Sequence, residues 1–375
     1  MDAVALSFFA SALICGAIVY LRPYHQRYSI DAISSFPGKV HAHPVPRIGG
    51  LAIFGGAIAG ALSYDYHVES LGFALILCSL PTLLGDLVED LTKKISTVAR
   101  LLLTFTGAAI AFLVLDARIT TLDLPYSDLV LGFAMFGLAF TMFAVGGFAH
   151  ALNIVDGLNG LAGLVALMIL AAIAWVAGQV GDEPVAWLAL AGMGAAAGFL
   201  VWNFPKGALF LVDVGSYFLG FLVAELAVLL VFRNSDVSPW FALTALAYPV
   251  CETLFSSYRR RVRGKRAMDA DGLHLHTLVY KRMVRRKGKG TSSQNATATL
   301  YLAALCAAVV LPAAFMWDNT LALQGIAAVF TVFYVILYRG LVRFRFPRWL
   351  SARRSVHNGG RRARRAELHE ARTGK

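Results

Sequence analysis

The sequence predicts an all-α, polytopic integral membrane protein, and three observations predict it. Of 375 residues, 58% are hydrophobic and only 15% charged. Mean hydropathy is +0.65. The apolar residues gather in runs of about 20, the length that crosses a bilayer as a helix. Soluble domains usually carry about a quarter charged residues.

Residues 3 to 21 form the first run. Asp2 precedes it, and Arg22 and Arg27 follow it, so it reads as a transmembrane helix with its N-terminus outside, not as a cleaved signal peptide. Further spans are predicted over 48 to 64, 71 to 88, 98 to 115, 129 to 149, 160 to 179, 185 to 202, 214 to 232, 240 to 256, 298 to 316 and 322 to 340, eleven in all. With that orientation the outer loops contain only Arg118 and Arg233 of the 34 lysines and arginines. The rest fall on the inner side, as the positive-inside rule requires. The transmembrane body then covers 1 to 342, and the basic tail 343 to 375 is cytoplasmic and expected to be disordered.

The net charge of +12 invites a nucleic-acid reading, but the charge lies between apolar spans and not on a soluble face. A membrane surface and phosphate-bearing substrates suit it, and nucleic acid is not expected as a partner. Cys15, Cys78, Cys251 and Cys306 stand singly in apolar stretches, without metal-ligand spacing.

The acidic residues divide by side. Those outside are scattered. On the inside, Glu89 and Asp90 end the third span, Asp156 lies between the fifth and sixth, Asp213 precedes the eighth, and Glu252 is near the inner end of the ninth. Carboxylates converging at one level raise each other's pKa unless a cation holds them, and oxygen donors of this kind suit magnesium. The plainer reading is that each acid caps a helix or pairs with a nearby base.

The stretch Asn153-Ile154-Val155-Asp156-Gly157-Leu158-Asn159-Gly160-Leu161-Ala162-Gly163 is the densest polar insertion in the apolar chain. If helical, it places Asn153, Asp156 and Asn159 on one face, toward a metal and a polar ligand. Cations come from Arg47 in Pro44-Val45-Pro46-Arg47-Ile48-Gly49-Gly50, from Lys93, and from the long inner loop of about 257 to 297. In that loop, His274 and His276 could ligate a metal or bind a diphosphate or a uracil ring.

At these residues the chain resembles the polyprenyl-phosphate N-acetylhexosamine-1-phosphate transferases, which include initiators of O-antigen and common-antigen synthesis and the peptidoglycan translocase. The ordered motifs that carry the resemblance are Pro44 to Gly50, Glu89-Asp90-Leu91-Thr92, Asn153 to Gly163, Asn203-Phe204-Pro205 through Asp213-Val214-Gly215-Ser216, and His274-Leu275-His276. The resemblance implies transfer of a sugar-1-phosphate from a UDP-N-acetylhexosamine to polyprenyl phosphate at the cytoplasmic face of a bacterial inner membrane, with release of UMP. It implies catalytic roles for Glu89, Asp90 and Asp156, with magnesium, or manganese in its place, on Asp213 and Asp156. It implies substrate contacts at Asn153, Asn159, Lys93, Arg47, His274, His276 and Asn203, and a homodimer is common among similar enzymes. Glu89 stands where the family usually has aspartate, Asn159 where many members have aspartate, and Val212 where a glycine is usual.

Asp90 is the expected base, although a lipid phosphate, already an anion, needs little help from one. The rival reading is a secondary transporter, whose binding residues would lie near the midplane, where Glu225 is the best candidate.

Overall fold

A computed structural model describes residues 3–29, 45–63, 66–92, 94–264, 272–284 and 292–343. All regular structure among them is helical. In chain order the helices are α1 (Ala3–Tyr20), α2 (Arg22–Ser29), α3 (Gly49–Ala61), α4 (Tyr66–Thr92), α5 (Thr97–Val114), α6 (Ser127–Leu131), α7 (Ala134–Val155), α8 (Leu161–Gln179), α9 (Glu183–Asn203), α10 (Val212–Arg233), α11 (Pro239–Ala245), α12 (Ala247–Val262), α13 (Leu275–Val279), α14 (Ser292–Phe315) and α15 (Thr320–Val342). A π-helical turn, Tyr280–Val284, continues α13.

Nine of the described helices are long and apolar enough to cross a membrane. Each falls on a predicted span. The two remaining predicted spans are built differently. Residues 48 to 64 give the 13-residue α3, and 240 to 256 is broken at Leu246 into α11 and α12. Pro249 explains the break: it has no N–H to give the carbonyl of Ala245, where α11 ends, and its ring crowds that carbonyl.

Polar side chains start several helices where the sequence supplies them. Ser96 accepts the Ala99 N–H at α5, Asp182 that of Val185 at α9, and Asn319 that of Ala322 at α15. α10 is the centre of the bundle. Apart from Asp213 and Glu225 it is apolar on every face and buried along nearly all of its length, with α3, α4, α7, α8 and α9 packed around it.

The loops meet in two separate sets, one at each end of the bundle. At one end Asp182, before α9, takes hydrogen bonds from Arg233 and Asn234 after α10, both at 2.9 Å. At that end Thr320 also donates to Asp123 at 2.8 Å, and Trp240 donates to the Leu122 carbonyl at 2.9 Å. These are the loops assigned outside by charge. The loops that carry the candidate site residues meet at the other end.

Candidate active site

The site is assembled around the N-terminus of α10. The segment before α3 is tied there by two backbone hydrogen bonds, Phe210 N–H to the Pro46 carbonyl and Gly49 N–H to the Phe210 carbonyl, both 3.0 Å. Gly50 then lies so close to α10 that a Cβ on it would sit 2.3 Å from the Gly215 nitrogen. Only a glycine allows this approach. It brings Arg47 within electrostatic reach of Asp156.

Asp213, in the first turn of α10, is the best-connected carboxylate. Arg100 of α5 approaches its Oδ2 at 2.6 Å, and Asn153 of α7 donates to its Oδ1 at 2.7 Å. The same Asn153 amide donates to Ser216 at 2.9 Å. Asp90, at the end of α4, accepts the Val214 N–H at 3.1 Å, so it holds the α10 terminus, where a carboxylate also complements the helix dipole. Glu89, its neighbour, accepts the Ile95 N–H at 2.7 Å and closes the turn into α5. Capping and ion pairing, the plainer reading of these acids, therefore describe part of what Glu89, Asp90 and Asp213 do.

Asp156 ends α7 as its C-cap. Burial and then the charge of Asp213 push its carboxyl up to about 7, with Asp90 adding to the rise and Arg47 opposing it. Among the described residues, no three His, Cys, Asp or Glu side chains are already gathered as metal ligands. Two carboxylates are enough for magnesium, which completes its shell with water and substrate phosphate. Asp156 and Asp213 fit that requirement in kind.

The shared helical face expected for Asn153, Asp156 and Asn159 is not formed. α7 stops at Val155, and the chain turns through Gly157 to Gly160, where φ is +77°. Two buried asparagines hold that turn. Asn203 accepts the Gly160 N–H at 2.5 Å and donates to the Leu209 carbonyl at 2.6 Å. Asn159 donates to the Pro205 carbonyl at 3.1 Å, and its backbone is gripped by Asn295 and Thr299 of α14, both at 2.8 Å. Asn153 and Asp156 therefore lie with Asp213 and Asp90. Asn159 and Asn203 join the central turn to the loop before α10.

His276 connects the long loop to this turn. Its buried ring presses on Gly157, where an added Cβ would lie 2.1 Å from Nε2. Burial pushes its imidazole down to about 4, so it is neutral at physiological pH. His274 stacks on it, with ring centroids 5.4 Å apart. Glu252, fully buried on α12, accepts from His274 Nδ1 at 2.9 Å and from Tyr334 of α15 at 2.7 Å. Arg260 lies 3.3 Å from the other ring nitrogen. His274 is thus held at both ring nitrogens, between the Glu252 carboxylate and the Arg260 guanidinium. Lys93 lies outside the described residues, as do half of the inner-loop lysines and arginines and the tail beyond 343.

Arg100 is the main residue that the sequence reading missed. It is buried, meets Asp213, lies 3.8 Å from Asp86, and stacks over Tyr217 at 5.3 Å. The available signal was a lone arginine one turn inside an apolar span, a position that charge occupies only for a partner. Tyr334 was unreadable because its partner is 82 residues away.

The profile of glycosyl transferase family 4 matches residues 72–231. A probable undecaprenyl-phosphate N-acetylglucosaminyl 1-phosphate transferase of Bacillus subtilis is 25% identical, over 81% of each chain. An undecaprenyl-phosphate alpha-N-acetylglucosaminyl 1-phosphate transferase of Salmonella typhi is 26% identical, over 71% of each. A phospho-N-acetylmuramoyl-pentapeptide-transferase of Carboxydothermus hydrogenoformans is 35% identical over 46% of this chain and 54% of its own. The 72–231 match contains Glu89, Asp90, Arg100, Asn153, Asp156, Asn203 and Asp213, and stops short of His274 and His276.

Proposed function

We propose, from the premise that this chain belongs to glycosyl transferase family 4, that it moves an N-acetylhexosamine-1-phosphate from a UDP-sugar to undecaprenyl phosphate or a similar polyprenyl phosphate. The products are a polyprenyl-diphosphate-sugar and UMP. One observation carries the reading: Asp90, Asp156 and Asp213 meet at the N-terminus of α10, beside Arg47, Arg100 and Asn153. Phosphoryl transfer asks mainly for positioning and charge neutralisation, and this cluster offers both.

A phosphate oxygen of the lipid attacks the sugar-bearing phosphorus, a new P–O bond forms, and the bond to the UMP oxygen breaks. The attacking oxygen is already anionic, so no strong base is required. Asp90 is the candidate for one. Asn153 and Arg100 hold the Asp213 carboxylate in a fixed orientation, and Arg47 faces the negative charge at Asp156. Asp156 and Asp213 would hold magnesium, or manganese in its place, which supplies charge neutralisation on the diphosphate. His276, seated on the central turn, and His274, stacked on it, would contact the nucleotide-sugar, with Lys93 an additional cation for its phosphates. Asn159 and Asn203 contribute by shaping the turn.

The carboxylate end faces the cytoplasm of a bacterial inner membrane on this reading, which the near-absence of lysine and arginine from the opposite loops supports. A homodimer is retained as an expectation from similar enzymes. The transporter reading is not favoured, because the relatives are named as transferases and the acids gather at one end of the bundle.

The test is UMP release by the purified protein from a panel of UDP-N-acetylhexosamines, with and without undecaprenyl phosphate and with the divalent cation supplied or chelated. At least one donor should release UMP only with both lipid and cation present. No release from any donor would refute the assignment.

A further inference from the structure

The last turns of α12 and α15 enclose a basic groove. Arg259 and Arg263 stand four residues apart on one side, Arg339 and Arg343 four apart on the other, and all four line a cavity of about 170 Å³ that also touches Phe255 and Tyr338. Like charges at that spacing repel each other. Other arginines of the fold are neutralised locally: Arg100 by Asp213, Arg118 by Asp116, Arg233 by Asp182. Among the described residues, no carboxylate pairs with Arg263, Arg339 or Arg343.

The groove is also built. Arg259 is 7% exposed, and it donates to the Leu273 carbonyl at 2.9 Å and to the Tyr338 hydroxyl. Tyr338 donates to the same carbonyl at 2.9 Å. The groove therefore backs onto the segment that carries His274. Its volume is several times the ~30 Å³ share of one water, enough for a phosphate and the atoms joined to it.

Chemistry changes along the groove. Val332 and Ile336 continue the Arg339–Arg343 stripe toward the middle of α15, and both are more than half exposed. On the α12 side, Tyr258 and Val262 are likewise exposed and line the cavity. Anionic charge is asked for at the helix ends and hydrocarbon directly above.

We propose that this groove binds the phosphate-bearing head of an anionic membrane phospholipid, its acyl chains lying along the apolar stripe. Free phosphate would satisfy the arginines alone. The apolar continuation selects the lipid.

The full-length protein in a neutral detergent is titrated with short-chain phosphatidylglycerol, phosphatidylcholine or inorganic phosphate, and its unfolding temperature is followed. Phosphatidylglycerol should raise it saturably, the other two should not, and the triple variant Arg263→Ala, Arg339→Ala, Arg343→Ala should need at least about tenfold more lipid. A control triple, Arg22→Ala, Lys206→Ala, Lys281→Ala, should match wild type. Should the groove triple not fold, Arg339→Gln alone, exposed and, among the described residues, bonded only through its backbone, should still weaken the titration. Equal weakening by both triples, an equal response to inorganic phosphate, or no saturable shift would overturn the proposal. None of these readouts requires turnover, so the result is independent of the assigned reaction.

Discussion

Gly157→Ala tests the contact that joins the histidine segment to the central turn. The added methyl would stand 2.1 Å from His276 Nε2, 2.5 Å from Cδ2 and 2.7 Å from Cε1. Ordinary contacts begin near 3.4 Å, so the ring must retreat by more than an ångström, and it is buried with His274 stacked on it. Overpacking of this kind costs about 1–3 kcal/mol. A displacement of about 1 Å in a positioning group can cost ~10²-fold in rate. The expected variant is therefore folded, slightly less stable, and about a hundredfold lower in kcat/KM for UMP release. Combining it with His276→Ala opens the space that the methyl needs. The double variant should recover part of the stability lost by Gly157→Ala without recovering its turnover, the non-additivity expected of residues in contact. A Gly157→Ala protein with wild-type turnover, or strictly additive stability losses, would refute the argument that His276 is seated on the turn.

Tyr334→Phe removes the buried 2.7 Å hydrogen bond to Glu252. It should cost about 1.5–3 kcal/mol of stability and raise KM for the nucleotide-sugar more than it lowers kcat, as thermal unfolding and Michaelis profiles would show. Asp156, raised to about 7, is protonated below that pH, so the pH–rate profile should fall on the acid side near 7, and added magnesium should move that limb to lower pH by competing with the proton. In stability the sign is opposite: the raised carboxyl contributes fully below its unfolded value of 3.8 and that contribution is lost as pH rises through about 7. Asp156→Asn should therefore unfold at a higher temperature than wild type at pH 8 while losing transfer. Val212→Gly should leave the protein as stable or up to about 1 kcal/mol more so. It relieves a valine at φ +57°, worth roughly 1–2 kcal/mol, against ~0.5–1 kcal/mol of added unfolded-chain entropy. A loss greater than about 1 kcal/mol on chemical unfolding would contradict that sign.

The membrane class was readable because apolar length and composition are local properties of the chain. The nine long apolar helices fall where hydropathy puts them. The break at Leu246 was also encoded, in Pro249, but a hydropathy window averages over a missing hydrogen bond. Asn153, Asp156, Asp90 and Asp213 could be singled out because polar atoms at the end of an apolar run demand a reason. The helical spacing applied to Asn159 failed because the turn is decided by distant residues, Asn203 and Asn295. No period in the sequence contains that information. Val212 is a similar case. Its departure from the usual glycine was visible, but only the backbone shows that the position has φ +57°. Arg100 and Tyr334 depend on partners more than 80 residues away, so their roles follow from packing alone.

Two carboxylates give the most direct test of the central claim. Asp213 and Asp182 each receive an arginine and an asparagine, at opposite ends of the bundle. UMP release at saturating donor and undecaprenyl phosphate is measured for Asp213→Ala and Asp182→Ala, normalised to folded protein. The account predicts loss of turnover by about 10²-fold or more in Asp213→Ala, as expected for removal of one electrostatic group of a reaction centre, with Asp182→Ala close to wild type. Equal losses in the two variants, or an active Asp213→Ala, would contradict it.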